Sequence, residues 1–266
     1  MNIFNILSDI EKIDGDATEK FNHSRRKMLK TTSVAAATSS LFFAGVLNKA
    51  YGQSNTITDV LNFALVLEYL EAEFYMKGMQ SSLNFGPDRG LINEIAKHEA
   101  QHVAFLKSAL GASAVAKPEF DFTAKGAFPN PYTNYPVFLT LAQAFEDTGV
   151  RAYKGQAPNL ASNRDILEAA LRIHSVEARH AGEIRIIRSM SAYASEMNTG
   201  GVPAAIYARE NNTTHVAGVD IVALSQPKLL FQNGASQMRA MKFAQDSFDE
   251  PLTKEEVLAI AGPFIK

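Results

Sequence analysis

The chain has 266 residues, of which 46% are hydrophobic and 20% charged, and its formal net charge of −2 comes without a lysine- or arginine-rich block in the body, so a nucleic-acid partner has little support. It contains no cysteine, which excludes disulfides, thiolate metal sites and a lipidated cysteine. No run of 18 or more uncharged apolar residues occurs, so we expect no membrane span in the mature form.

The N-terminus has the pattern of a twin-arginine export signal. The segment SRRKMLK at residues 24–30 is followed by a weakly apolar run at 34–47 and by the small-residue site AYG at 50–52. This order of a basic, an apolar and a cleavable region is typical of a secretory leader. We therefore predict a signal peptide and leader over 1–52 and a periplasmic or extracellular location. The alternative is a basic, disordered N-terminus with an accidental arginine pair.

Four segments then have the length and the 3.6-residue periodicity of bundle helices. Start and stop residues predict their bounds as Thr58 or Asp59 to Gln80–Ser82, Pro87-Asp88 to Gly111, Tyr135-Pro136 to Gly155 or Pro158, and Ser162-Asn163 to Met190 or Tyr193. The connection between the second and third helices, residues 112–134, is long for neighbouring helices and suits a bundle with one long crossover. We predict an all-α fold, with this four-helix bundle over 55–193.

The last segment, 194–266, has a different texture and is predicted as an irregular helical extension. Residues 235–248 favour a helix, and Thr253 with Glu256 forms a capping box for a final short helix that ends near Gly262. The segment carries no second chemistry. We expect it to pack against the bundle, cover one of its ends or build an oligomer contact.

One constellation occurs twice on these helices, at identical spacing. Its members are Glu68, Tyr75, Glu99 and His102, and then Glu146, Tyr153, Glu177 and His180. Glu68 and Glu99 each lie about 12 residues from the turn that joins their helices, which is roughly 18 Å at 1.5 Å per residue. They should therefore meet at one height of an antiparallel pair. Glu and His three residues apart share a helix face, so both repeats can face one pocket. The alternative reading is a set of solvated surface residues.

These residues resemble the ferritin-like di-metal carboxylate superfamily. Within it, the chain is most similar to the exported ferritin-like domain proteins that include the desiccation-related group. The likeness covers about residues 58–193. It is carried by LEYLEAEFY at 67–75, HEAQH at 98–102, FED at 145–147 and EARH at 177–180, with FDEPL at 248–252 in the tail.

The resemblance implies a centre of two Fe or two Mn ions. In it, single carboxylates, bridging carboxylates and imidazoles are the metal ligands, and two inward tyrosines that hydrogen-bond a ligand carboxylate are the candidate catalytic residues. By position these are Glu68 and Glu146, Glu99 and Glu177, His102 and His180, and Tyr75 and Tyr153. Oxygen and nitrogen donors without sulfur suit Fe or Mn. Six ligands for two ions leave positions for O2, peroxide or water.

Two functions are consistent with this centre. The first is an oxidoreductase that acts on O2 or hydrogen peroxide in a ferroxidase-, peroxidase- or catalase-like oxidative-stress role. The absence of cysteine excludes a rubredoxin-type electron centre on this chain. The second is a non-enzymatic metal-binding stress or desiccation-related protein of the cell envelope. A homo-oligomer is possible, whereas nothing in the sequence indicates the surfaces of a storage cage.

Three neighbours of the constellation have weaker cases. Glu71 lies one turn after Glu68 and could be an extra ligand or a partner of one, although the equivalent position in the second repeat is Gly149. His98 is expected to hydrogen-bond at an edge of the bundle rather than to bind metal. Asp147 is expected to face away from the centre.

Overall fold

The computed structural model describes residues 57–194, 199–211 and 245–266. The predicted signal peptide and leader lie outside these residues, as does most of the helix predicted at 235–248. The regular secondary structure of the described residues is helical, and their only β-pairing is an isolated antiparallel bridge between Phe120 and Ile265. The all-α prediction is confirmed.

Five α-helices and five short 3₁₀ turns are described, and residues 245–247 are also helical. The α-helices are α1 (Ile57–Gln80), α2 (Arg89–Leu110), α3 (Tyr135–Gln156), α4 (Arg164–Ile187) and α5 (Lys254–Ala261). The 3₁₀ turns are Gly86–Asp88, Gly111–Ser113, Ala157–Leu160, Ala204–Tyr207 and Gly262–Phe264. The closest helix pairs are α1 with α2 and α3 with α4. Short connections join each pair into a hairpin, and the long connection joins the two hairpins, so the bundle with one long crossover is confirmed.

Side-chain caps fix where several helices begin. Asn134 accepts a hydrogen bond from Val137 N at 3.3 Å at the start of α3, and Asn163 accepts one from Ile166 N at 3.3 Å at the start of α4. Each satisfies a backbone N–H that the first helical turn leaves unpaired. The predicted capping box at Thr253 is present, with both of its reciprocal bonds.

Three predicted bounds are corrected by the structure. Helix α1 includes Thr58 and Asp59 in its first turn. The acidic side chain of Asp59 interacts favourably there with the positive end of the helix dipole. Helix α4 ends at Ile187, because Ser189 takes a left-handed conformation (φ 58°) and Met190 N donates back to Arg185 O at 2.9 Å.

The third correction concerns Gly155, which lies inside α3 and does not end it. A Cβ at Gly155 would lie 2.0 Å from the carbonyl oxygen of Leu252 in the C-terminal segment. The glycine therefore marks a close approach of two backbones, which only a residue without a side chain allows.

An aromatic cluster fills the bundle beside the turn that joins α1 and α2. The ring of Phe74 stacks on Phe138 at 4.6 Å and meets Phe145 edge-on at 5.1 Å. Phe122 of the crossover packs on the same ring at 5.6 Å. Since buried aromatic side chains contribute a large share of a core's stability, the crossover is part of the core and holds the two hairpins together.

The described parts of the C-terminal segment lie on α3. The buried guanidinium of Arg151 donates to the carbonyl oxygens of Glu250 (2.6 Å), Ile206 and Ala208, and it pairs with Glu210 at 3.0 Å. A buried arginine that is satisfied on every side fixes the chain around it. Within the described parts of the chain, none of the helices combines the length and apolarity that crossing a membrane requires.

Candidate metal centre

The structure brings the six predicted ligand residues together in the middle of the bundle. Each is at most 1% exposed. Their potential ligand atoms form two groups, and within each group these atoms all lie within 4.8 Å of one another. The groups are Glu68, Glu99, His102 and Glu177, and Glu99, Glu146, Glu177 and His180. Because Glu99 and Glu177 belong to both, these two carboxylates occupy the positions that bridging ligands would take.

The two imidazoles present the same nitrogen to this cluster. His102 Nδ1 lies 3.2 Å from a Glu68 oxygen, 3.3 Å from Glu99 and 3.2 Å from Glu177. His180 Nδ1 lies 2.8 Å from Glu99 and 3.3 Å from Glu146. Each imidazole therefore converges with carboxylates from neighbouring helices on one small volume.

Both predicted tyrosines are hydrogen-bonded to the cluster, and each contacts the carboxylate of the other repeat. Tyr75 donates to Glu146 Oε1 and Tyr153 donates to Glu68 Oε1, both at 2.5 Å. These bonds run between α1 and α3, so each ties one hairpin to the other. They also fix one oxygen of each carboxylate and leave the second oxygen turned toward a histidine.

His98 belongs to the site, and its expected place at an edge of the bundle is wrong. It is 1% exposed, and its Nδ1 lies 2.9 Å from His180 Nε2. The two rings are nearly parallel, with centroids 5.2 Å apart. Since His180 turns Nδ1 toward the carboxylates, its Nε2 is the nitrogen that shares a hydrogen bond with His98, and this bond helps to hold the orientation of the His180 ring. A histidine directly before Glu99 was the sequence signal for this contact.

Glu71 also reaches the cluster, through space that Gly149 provides. Glu71 is 3% exposed. A Cβ at Gly149 would lie 3.3 Å from Glu71 Oε1 and 2.8 Å from Glu177 Oε2. Gly149 stands at the position in the second repeat that is equivalent to Glu71, and its lack of a side chain leaves room for the Glu71 carboxylate. A fifth carboxylate enters the centre from α1 in this way.

Asp147 faces away from the centre, as expected, but it is buried. Arg185 donates to both of its oxygens, at 3.1 and 2.6 Å, and Tyr207 donates to it at 2.6 Å. Tyr207 comes from the C-terminal segment, so this network joins α3, α4 and that segment behind Glu146. It supports the ligand helix and does not offer a ligand.

Burial and the charges of neighbouring side chains shift the pKa values of the carboxyl groups in the cluster. Burial raises the pKa of Glu68 from 4.5 to about 7. Burial and the neighbouring carboxylates raise the pKa of Glu71 and Glu177 well above 4.5. The pKa of Glu99 is lowered, because His102 and His180 outweigh the effect of its burial. Unlike Glu99, the other carboxylates are poorly compensated by the protein alone.

The donor set fits a pair of divalent cations. No lysine or arginine among the described residues pairs with Glu68, Glu99, Glu146 or Glu177, and Glu177 Oε2 has no hydrogen-bond partner although it is buried. Buried charges in proteins are paired or coordinate metals. Hard oxygen donors with two imidazoles and no sulfur match Fe or Mn.

The comparison with protein families agrees with this geometry. A family model described as a ferritin-like domain matches residues 56–189, which contain the four bundle helices. Among curated proteins, none matches the chain.

Proposed function

Because this chain belongs to the ferritin-like domain family, we propose that it binds two Fe or two Mn ions and reacts with O2 or hydrogen peroxide. The observation that carries the proposal is the sharing of Glu99 and Glu177 by two groups of potential ligands. Two four-ligand groups with two common carboxylates are the arrangement that holds a pair of ions in a four-helix bundle.

The proposed division of labour follows from the two groups. Glu68 and His102 would hold one ion, Glu146 and His180 the other, and Glu99 and Glu177 both. Glu71 would be a partner of Glu177 or an additional ligand. Once bound, two such ions can hold and polarise an oxidant between them and exchange electrons with it.

The surrounding side chains orient these ligands. The hydroxyls of Tyr75 and Tyr153 donate to Glu146 and Glu68, so each carboxylate keeps one oxygen directed at a histidine. The hydrogen bond between His98 Nδ1 and His180 Nε2 helps to keep His180 Nδ1 turned toward the centre. Such supporting hydrogen bonds typically change metal affinity or activity by about 10- to 100-fold.

A second candidate function is metal binding without turnover. The observation that favours it is the burial of all six ligand side chains, none more than 1% exposed. In such a site the metal contributes to folding, because carboxylates that repel one another in its absence become paired in its presence. A non-enzymatic stress or desiccation-related envelope protein would use the centre in this way.

The cellular setting is also a proposal. The SRRKMLK segment at residues 24–30 supports export by the twin-arginine route to the periplasm or beyond. Export of an already folded protein would let the centre be loaded in the cytoplasm. Replacement of Arg25 and Arg26 by lysine should retain the protein in the cytoplasmic fraction. Unchanged export would contradict this route.

The decisive experiment measures metal and reactivity together. Protein purified from its native host should contain about two Fe or Mn ions per chain, and the anaerobically reduced protein should change its absorbance when O2 or hydrogen peroxide is added. Bound metal without any response to either oxidant would favour the second candidate. Absence of bound Fe and Mn would overturn both.

The matched variants test the shared ligands. Glu99→Ala and Glu177→Ala should each lower metal occupancy at both positions, since each removes a carboxylate common to the two groups. Glu168→Ala is the control, because Glu168 lies on the same helix as Glu177 but its side chain is exposed and pairs with Arg172 at 2.7 Å. Full occupancy in both ligand variants would refute the assignment.

A further inference from the structure

A small apolar cavity lies between all four bundle helices, at the end where α1 begins and α3 ends. It has a volume of ≈ 20 Å³, counted as the space open to the centre of a water-sized molecule. A single water needs roughly 10–15 Å³ by this measure. Fourteen residues line the cavity, all of them buried, and twelve of these are aliphatic or phenylalanine side chains. There is therefore room for one small molecule in an apolar environment.

The cavity has too few polar partners to hold water well. Its two polar lining side chains are Tyr153 and Gln156. The Tyr153 hydroxyl is already used in its bond to Glu68, and the amide oxygen of Gln156 accepts from Asn159 at 3.0 Å. A buried water requires two to four hydrogen-bond partners, and cavities lined by aliphatic and aromatic side chains stay dry and bind apolar molecules.

The cavity adjoins the metal centre on one side. Its wall includes Tyr153, which bonds Glu68, and Leu67, which directly precedes Glu68 on α1. At the equivalent tyrosine of the other repeat, the rings of Phe74 and Phe138 pack edge-on against Tyr75 at 5.3 and 6.0 Å. The two halves of the centre therefore differ: the half with Glu68 borders an apolar cavity, and the half with Glu146 borders aromatic rings.

We propose that this cavity binds O2 beside the Glu68–His102 half of the centre, so that O2 is the oxidant that the centre takes up. The role of the bound O2 as an oxidant rests on the proposed function, whereas the presence of the apolar cavity does not. O2 is small and apolar and gives up little hydration when it enters such a space. Hydrogen peroxide would lose its hydrogen bonds to water and find few replacements, which is costly. Binding in the cavity itself transfers no electron or atom.

The first test uses xenon, which occupies dry apolar cavities and requires no metal. Crystals of the full-length protein under xenon pressure should show a xenon atom bordered by Leu67, Tyr153 and Ile173. Ala170→Val, which adds two methyl groups to the cavity wall, should abolish that atom. Ala169→Val is the matched control, because Ala169 is equally buried on the same helix but does not line the cavity. Absence of xenon in the wild-type protein would overturn the proposal.

The second test compares oxidants in iron-loaded, reduced protein. Ala170→Val should slow the absorbance change caused by O2 by about tenfold, equivalent to roughly 1.4 kcal/mol, and leave the change caused by hydrogen peroxide within about twofold of wild type. Ala169→Val should react as wild type does with both oxidants. If Ala170→Val slows neither reaction, or slows both equally, the cavity is not the place where O2 is taken up.

Ala64→Val, on the α1 side of the wall, replaces Ala170→Val in both tests if that variant does not fold. Failure of the protein to bind metal would refute the proposed function and leave the xenon result to decide about the cavity.

Discussion

Tyr75 donates its hydroxyl to Glu146 at 2.5 Å, although the two residues are 71 positions apart and belong to different hairpins. Tyr153 makes the reciprocal bond to Glu68. The repeat in the sequence associates each tyrosine with the glutamate of its own helix, seven residues earlier. Each tyrosine instead supports a proposed ligand on the opposite hairpin, so the hydrogen bonds around the centre also hold the two halves of the bundle together.

The crossed pairing predicts which ion each tyrosine affects. Tyr75→Phe should weaken binding at the Glu146–His180 position, and Tyr153→Phe at the Glu68–His102 position, each by about 10- to 100-fold. Anaerobic titration with Co²⁺, followed by its visible absorption, resolves the two positions. Tyr135→Phe is the control, because its hydroxyl bonds Asp88 at 2.9 Å, away from the centre. Equal weakening of both positions by each variant would contradict the pairing.

Gly149→Ala should disturb the centre without disturbing the helix. Its methyl group would lie 2.8 Å from Glu177 Oε2, closer than such atoms can approach, so the Glu177 carboxylate must move. We expect loss of metal at both positions, while the helical circular dichroism is retained because alanine favours a helix. Metal analysis after gel filtration gives the occupancy.

Removal of Glu71 gives a second arm to this experiment. Glu71→Ala empties the space beside Gly149, so the double variant should recover part of the metal that Gly149→Ala loses. Gly262→Ala is the control, since a Cβ there meets nothing within 4 Å. Wild-type occupancy in Gly149→Ala would show that the glycine does not make room for the carboxylates.

The stability of the metal-free protein should fall as pH rises between about 4.5 and 7. Burial raises the pKa of Glu68 from 4.5 to about 7, and the pKa of Glu146, Glu177 and His180 is raised as well. In this range the folded state holds more protons than the unfolded state. The contribution is therefore fully present below the unfolded pKa and is lost as pH passes through the folded pKa. The lowered pKa of Glu99 acts in the opposite direction, but only below 4.5.

Metal should reverse this dependence. Ligand carboxylates must lose their protons to bind cations, so affinity rises with pH over the same range. Urea unfolding at pH 5, 6 and 7, with and without Mn²⁺, measures both effects. A metal-free protein that gains stability from pH 5 to 7 would contradict the raised pKa values.

Gly155→Ala should detach the C-terminal segment from α3. The added methyl group would meet the backbone carbonyl of Leu252 at 2.0 Å, and the bond from Leu252 N to Arg151 O would be lost. We expect destabilisation of about 1–3 kcal/mol, as for other overpacked contacts, and faster proteolysis within residues 245–266. Metal content should be unchanged, because the contact lies outside the centre. Wild-type resistance to proteolysis in this variant would refute the close approach.

Much of the fold follows from local chemistry. Asn163, Gly111 and the Thr253 capping box set helix ends where the sequence predicts them, because caps act through neighbouring backbone groups. Helix bounds predicted from the local sequence are wrong where a residue is set by its contact with a distant part of the chain. Gly155 is predicted to end α3, but it lies within the helix, where the backbone of Leu252 comes too close to leave room for a side chain.

The sequence by itself also determined which side chains share a height and a face in the bundle. Spacing along a helix converts directly into rise and rotation. The repeated Glu, Tyr and Glu-x-x-His positions therefore converge when the four helices pack.

Only the tertiary structure decided what those side chains touch. The bond from Tyr75 to Glu146, the contact of His98 with His180 and the entry of Glu71 beside Gly149 all join different helices. They depend on the rotation and separation of neighbouring helices, which spacing within one helix does not specify. The apolar cavity beside Tyr153 has the same origin. It is a space left between side chains of different helices, so no sequence motif predicts it.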